Sequence, residues 1–270
     1  MTVYSFITID DPFATAGTFA EGINGKGQIV GTYRHASDTH GFVDTGIGGA
    51  TLDDPLATNG TSAYGINDSG QIVGAYYGGP GTGEHGFLWN GGTYTTLDYP
   101  IPNGGTYAQG INDSGQIVGY YYDNTPISHA FLYSAGVYTD VSDPLGIRGT
   151  FATGINISGQ VVGYYFASNF TAHGFLYSGG TYTTLDDPEG TATHAYGIND
   201  AGQIVGTYYD ASNNPHGFLY SGGGYTTLDD PLGATRGAGA GAGAKSKRVA
   251  SGSVEPWLIP LRRDAERTSS

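Results

Sequence analysis

The sequence predicts an all-β fold: a five-bladed β-propeller of four-stranded antiparallel blades, on a repeat of about 44 residues. Three observations predict it. The phrase G-I-N-x-x-G-Q-I/V-V-G begins at Gly22, Gly65, Gly110, Gly154 and Gly197, at intervals of 43, 45, 44 and 43 residues. A second phrase, H-G/A-F, follows each copy at His40, His85, His129, His173 and His216. Each unit carries enough turn chemistry for four short strands, and no window has helical periodicity.

The unit around the third copy shows the elements in order. Thr93–Asp98 alternates β-forming residues and reads as a strand, which the turn chemistry of Tyr99–Gly105 ends. Thr106–Ile111 is the next strand. Asn112-Asp113-Ser114-Gly115 is a tight turn, because Asn and Asp hold the local backbone and Gly115 accepts positive φ. Gln116–Tyr122 and His129–Tyr133 follow, separated by the variable loop Asp123–Ser128. One such sheet cannot bury both faces alone, so neighbouring blades must stack through Ile117, Val118, Phe131, Leu132 and their equivalents.

The D-P strand occurs six times, once more than five blades need, starting from Asp10-Asp11-Pro12. Tyr4–Asp10 and Tyr225–Asp230 are therefore expected to compete for, or share, the closing edge of the ring. Residues 1–236 form the repeat domain. Residues 237–270 begin with a Gly/Ala run and become basic, which predicts a flexible linker and a disordered tail, with local helix at most near Leu258–Arg267.

Net charge is −14, and there is no cysteine, which excludes disulfides and zinc–thiolate sites. Residues 1–236 carry four basic and 21 acidic residues. Such an acidic body argues against nucleic acid or an anionic membrane as partner. No apolar stretch is long enough to span a bilayer, and the N-terminus has no visible signal-peptide pattern. A monomer is expected.

The phrases Y-T-T-L-D-D-P, A-Y-G-I-N-D-A-G-Q-I-V-G and H-G-F-L-Y-S-G-G, intact between Tyr182 and Gly223, resemble the bacterial HAF-type extracellular repeat family. The His-Ala-Phe tripeptide stands literally at His129-Ala130-Phe131, and the resemblance covers residues 4–233. It implies a propeller-like repeat protein, exported or at the cell surface, with no established enzymatic activity.

Four sets of residues are candidates for chemistry. The aspartate pairs lie at strand-to-loop junctions, where a ring of Asp11, Asp54, Asp187 and Asp230 would suit Ca²⁺. Against that, adjacent strand residues point to opposite faces; the plainer expectation is that the first Asp caps the turn and the second is solvated. The five histidines are expected to hydrogen-bond within their own blades and pin the blade interfaces, and the Asn of each G-I-N to hold its turn. The aromatic clusters give the best hint of binding, through Tyr77, Tyr121, Tyr165 and Tyr209, whose rings could stack on sugar or protein.

For catalysis the informative residues are those that break the repeat: Glu21, Lys26, Arg34, Glu84, Arg148, Glu189 and His194. No G-x-S-x-G, H-E-x-x-H or P-loop signature is present. The expectation is a non-catalytic binding scaffold for carbohydrate or protein, in its sharper form a multivalent glycan binder. The alternatives are a calcium-stabilised structural domain and, less favoured, a glycoside hydrolase with paired acids.

Overall fold

The computed structural model describes Ile9 and residues 11–46, 48–78, 83–101, 104–123, 125 and 127–229. Within them the chain forms five four-stranded antiparallel sheets, the blades of a β-propeller. Blade 1 is β1 (Thr18–Ile23), β2 (Ile29–His35), β3 (Asp38–Asp44) and β4 (Gly49–Leu52). Blade 2 is β5 (Thr61–Ile66), β6 (Ile72–Tyr77), β7 (Glu84–Asn90) and β8 (Thr93–Leu97). Blade 3 is β9 (Thr106–Ile111), β10 (Ile117–Tyr122), β11 (Ser128–Ser134) and β12 (Val137–Asp140). Blade 4 is β13 (Thr150–Ile155), β14 (Val161–Phe166), β15 (Ala172–Ser178) and β16 (Thr181–Leu185). Blade 5 is β17 (Ala192–Ile198), β18 (Ile204–Tyr209), β19 (Pro215–Ser221) and β20 (Gly224–Thr227). No described helix is long and apolar enough to cross a membrane.

The repeated phrases have specific packing roles. The G-I-N strand is innermost in every blade. The glycine of Q-I-V-G lies under the phenylalanine of H-G-F. A Cβ on Gly74 would sit 2.7 Å from the Phe87 ring and would collide with the Ser62 carbonyl oxygen. That vacancy lets Phe87, Phe131, Phe175 and Phe218 be fully buried. Every innermost strand also has a bulge one residue before its G-I-N glycine.

The asparagines do more than hold their turns. Asn67 Oδ1 accepts from Gln71 N, while its Nδ2 donates to Gln71 Oε1 at 2.8 Å and to the Asn112 carbonyl of the next blade at 3.1 Å. The same inter-blade bond joins Asn24 to Asn67, Asn112 to Asn156, and Asn156 to Asn199.

The hydrophobic core is divided among the seams between blades. At the first seam Val30, Val43 and Leu52 of blade 1 meet Ala63, Ile66, Ile72, Tyr76 and Phe87 of blade 2. Equivalent sets fill the seams from blade 2 to 3, 3 to 4 and 4 to 5.

Tyr225 lies in β20, the fourth strand of blade 5. Blade 1 likewise has its own fourth strand in β4. Apart from Ile9, the Tyr4–Asp10 segment lies outside the described residues, as do the 236/237 boundary, the tail and its expected helix.

Candidate functional site

Each blade carries a histidine held between two partners of its own sheet. The His of strand three stacks on a Tyr of strand two, with centroid separations of 5.0–5.3 Å for Tyr33–His40, Tyr76–His85, Tyr121–His129, Tyr165–His173 and Tyr208–His216. In four blades its Nδ1 meets the first aspartate of the D-D/Y-P corner: His40–Asp53, His85–Asp98 and His173–Asp186 at 2.9 Å, and His216–Asp229 at 2.7 Å. Blade 3 has Ser142 at that place. Ser142 Oγ accepts from Ala130 N, and His129 turns its Nε2 to Asp123 at 3.2 Å.

These contacts reverse the expected roles of the paired aspartates. The first member is exposed and paired with histidine. The second is buried, with Asp54, Asp143 and Asp187 at 3%, 5% and 4% exposure, and it caps the corner. Asp54 Oδ1 accepts from Leu56 N, and Asp54 N donates to Thr61 Oγ1 at the start of blade 2, both at 2.9 Å. Burial raises the carboxyl pKa of Asp143, an effect partly offset by the Leu145 N–H and by His173. Asp11 makes the same contacts with Phe13 N and Thr18 Oγ1.

Of the four aspartates proposed as metal ligands, the three described ones are not brought together. Asp11, Asp54 and Asp187 each serve a separate corner, and Asp230 lies outside the described residues. Among the described residues no three His, Asp or Glu side chains are placed to hold one ion.

The four tyrosines chosen as binding platforms fall at two different positions. Tyr121 and Tyr165 occupy the place beneath the histidine, at 7% and 3% exposure, and cannot serve as open platforms. Tyr77 and Tyr209 are one residue further along and half-buried, equivalent to Tyr122, Phe166 and Arg34. Because side chains alternate along a strand, one residue of offset sends a ring to the other face.

That other face leads to the axial mouth, at the end where strand one begins and strand two ends. There the rings of blades 3 to 5 form a continuous run. Tyr107 stacks on Tyr120 at 4.7 Å, and Tyr120 meets Phe151 edge-on at 4.8 Å. Phe151 stacks on Tyr164 at 4.9 Å, Tyr164 meets His194 at 4.4 Å, and His194 lies 5.7 Å from Tyr209. Tyr122 and Phe166 pack edge-on against the run. Glu84 hydrogen-bonds Tyr107; burial first, and then the Glu84 charge, drive that phenol's pKa upward. Tyr122 is raised by the same two causes, and Tyr164 is pushed up to about 12, mainly by burial.

Deeper on the axis is a cavity of about 130 Å³ lined by the G-I-N strands. The bulge residues Glu21, Tyr64, Gln109, Thr153 and Tyr196 line it, one from each blade. Of these, only Glu21 stands out in the sequence. The signal for the others is the variable place inside an otherwise constant A-x-G-I-N phrase. At the turn end, Asp68, Asp113 and Asp200 accept backbone N–H bonds from Gly25, Asp68 and Ile157 of the preceding blade, so these carboxylates tie blades together.

No family model and no curated protein matches this chain. Among solved structures it is similar to the fucose-specific lectin from Aleuria aurantia, at 15% identity and a TM-score of 0.50, over 80% of this chain and 78% of that one. It is similar to AofleA from Arthrobotrys oligospora at 12% identity and a TM-score of 0.54, over 80% and 72% of the two chains. It also resembles the β-propeller domain of the Trilobed protease from Pyrococcus furiosus, at 16% identity and a TM-score of 0.51, over 75% and 63%. At such identities these likenesses establish a shared fold, the β-propeller.

Proposed function

We propose that this protein is a non-catalytic carbohydrate-binding propeller, working outside the cell as its resemblance to the HAF-type repeats implies, and that sugar is bound at the axial mouth of blades 3 to 5. The observation that carries this reading is the run of half-buried rings from Tyr107 to Tyr209 with the Glu84 carboxylate beside it. A pyranose offers an apolar C–H face to stack on aromatic rings and a rim of hydroxyls for hydrogen bonds. Phenols give and accept such bonds, and Glu84 accepts them. The name of the Aleuria aurantia lectin makes that propeller fucose-specific; here the argument rests on the rings.

The sequence suggested a multivalent binder with equivalent sites on the repeats. The continuous run of ring contacts spans blades 3 to 5, which favours fewer sites: at the places of Tyr107, Tyr120 and Tyr122, blade 1 has Phe19, Thr32 and Arg34, and blade 2 has Ser62, Ala75 and Tyr77. The expected stoichiometry is therefore one or two sugars per chain, not five. A glycan array followed by titration calorimetry tests this. Tyr122→Ala and Glu84→Gln should each weaken binding about tenfold or more, a loss of roughly 1.4 kcal/mol. A folded protein that binds no glycan at millimolar concentration would overturn the reading, and sugar-releasing activity would favour the hydrolase alternative.

A further inference from the structure

The cavity beneath the mouth has charged groups of one sign only. Among the described residues its lining includes Glu21, Asp68, Asp113 and Asp200, and no Lys, Arg or His. The three aspartates stand at the turn end, where each accepts a backbone N–H. Glu21 is placed differently. It is half-buried at the bulge of β1, and it brings the one acid to the level of Tyr64, Gln109, Thr153 and Tyr196. A concave site with low-dielectric walls concentrates the field of such charges, so the axis attracts cations and repels anions. Glu84 at the mouth adds charge of the same sign.

Aromatic rings join this cavity to the mouth. Tyr196 lies 6.3 Å from Tyr164 and 6.2 Å from His194, both members of the mouth run. Tyr64 is hydrogen-bonded to Tyr77. Burial first drives the pKa of both cavity phenols upward, and the Glu21 charge adds to each, so its carboxylate acts on Tyr64 and Tyr196 alike. Blade 1 shows that a ring at the mouth accepts a cation. Phe19 holds the place of Tyr107 and Phe151, and the Arg34 guanidinium lies over it, 5.6 Å from the ring centroid. Of the other described basic residues, Arg148 lies over Phe170 and Lys26 is exposed; none of the three lines the cavity.

We propose, building on the reading of the mouth as a sugar site, that the bound sugar carries a free, protonated amino group, and that this ammonium enters the cavity to pair with Glu21. The pyranose ring stacks on the mouth rings as a neutral sugar would. The cavity, about 130 Å³, has room for a few waters of about 30 Å³ each, and so for an ammonium with part of its hydration. The Glu21 carboxylate takes one N–H as a charge-assisted bond. The Gln109 side-chain oxygen and the Tyr64 and Tyr196 phenol oxygens, in the same lining, are acceptors for the others. The two tyrosine rings add cation–π attraction. A sugar acid would meet Glu21 and Glu84 with like charge, so the same site discriminates against it.

Titration calorimetry of the full chain compares the methyl glycosides of glucosamine, galactosamine and mannosamine with those of their parent hexoses. Within each pair the only change is an ammonium in place of the C2 hydroxyl. At least one amino sugar should bind about tenfold or more tightly than its parent. Glu21→Gln should cut that affinity about tenfold and bring the pair to parity. Asp44→Asn removes the same charge at the far end of β3, and should leave the preference unchanged. Should melting show that Glu21→Gln does not fold, Gln109→Glu gives the second readout: another acid in the cavity should widen the preference about threefold or more. Parity within every pair for the unmodified chain overturns the inference and leaves the sugar reading standing. Methylammonium binding as tightly as the amino sugar also overturns it, since the ring would then contribute nothing. If no amino sugar binds, the inference fails as well, and neutral glycans on the array decide the sugar reading by themselves.

Discussion

His216 Nδ1 lies 2.7 Å from the Asp229 carboxylate, while its Nε2 reaches Asp210 at 3.5 Å. This imidazole is thus held between two acids and stacked on Tyr208 at 5.0 Å. Its pKa is raised, first by the hydrogen bond to Asp229, with burial opposing and Asp210 adding. The folded state therefore favours the protonated ring. The stabilisation is complete below the ordinary histidine value of about 6.5 and fades as pH rises through the raised one. Melting temperatures of wild type and His216→Gln, taken from pH 5.5 to 8.5, should differ most at the acid end and converge at the alkaline end. A difference that does not vary with pH would refute the pairing as a charged one.

Asp54 offers a test of the inverted aspartate roles. Its Oδ1 caps the corner through Leu56 N, but its Oδ2 is buried without a hydrogen-bond partner. Asp54→Asn keeps the cap and removes a buried charge, so denaturant unfolding should show it within about 0.5 kcal/mol of wild type, or more stable. Asp54→Ala removes the cap and should cost about 1–2 kcal/mol. Asp53→Ala, which removes an exposed partner of His40, should cost under about 1 kcal/mol. Were Asp53 the cap, the order would invert.

The same geometry bears on calcium. Asp11, Asp54 and Asp187 are committed to separate corners, and no cluster of three ligating side chains exists among the described residues. A bound ion would stabilise the native state by mass action. Thermal melts in millimolar Ca²⁺ and in chelator are expected to give equal midpoints, and a midpoint raised by several degrees in Ca²⁺ would restore the metal reading.

Period and turn chemistry made the blades legible, because every unit repeats its Gly, Asn and Phe at sites where the backbone or a ring leaves no alternative. What could not be read was which way neighbouring side chains point. Asp53 and Asp54 are adjacent and chemically identical, and only the path of the corner decides that Asp54 is buried. Tyr121 and Tyr165 were misplaced for the same reason: Tyr76-Tyr77 and Tyr120-Tyr121-Tyr122 look alike, but Tyr76 and Tyr121 lie under histidines while Tyr77 and Tyr122 lie on the opposite face. The bulge residues were hidden because a bulge adds a residue without changing the period, although the variable letter in A-x-G-I-N marked them. The extra D-P copy showed in the sequence as a counting excess, and Asp11 N donates to Thr18 Oγ1 just as Asp54, Tyr99 and Asp187 donate to their threonines.

Asn112 makes the inter-blade latch measurable. Its Oδ1 accepts from Ser114 N and Gln116 N, and its Nδ2 donates to Gln116 Oε1 at 2.8 Å and to the Asn156 carbonyl at 2.9 Å. Asn112→Ala removes all four bonds at a site 5% exposed, and should cost about 2–3 kcal/mol. Asn112→Asp keeps the two turn bonds but aims a carboxylate oxygen at two acceptor oxygens. At neutral pH it should cost about 3 kcal/mol or more. Desolvation and those oxygens raise the new carboxyl's pKa in the folded state, so part of the loss should return as pH falls through that value, when the proton restores a donor. The alanine variant has no such group, and its deficit should stay constant across the same range. A latch confined to its own hairpin would leave Asn112→Asp close to wild type at every pH, since both turn bonds survive the change and the Gln116 amide can turn to donate its Nε2 to the new carboxylate.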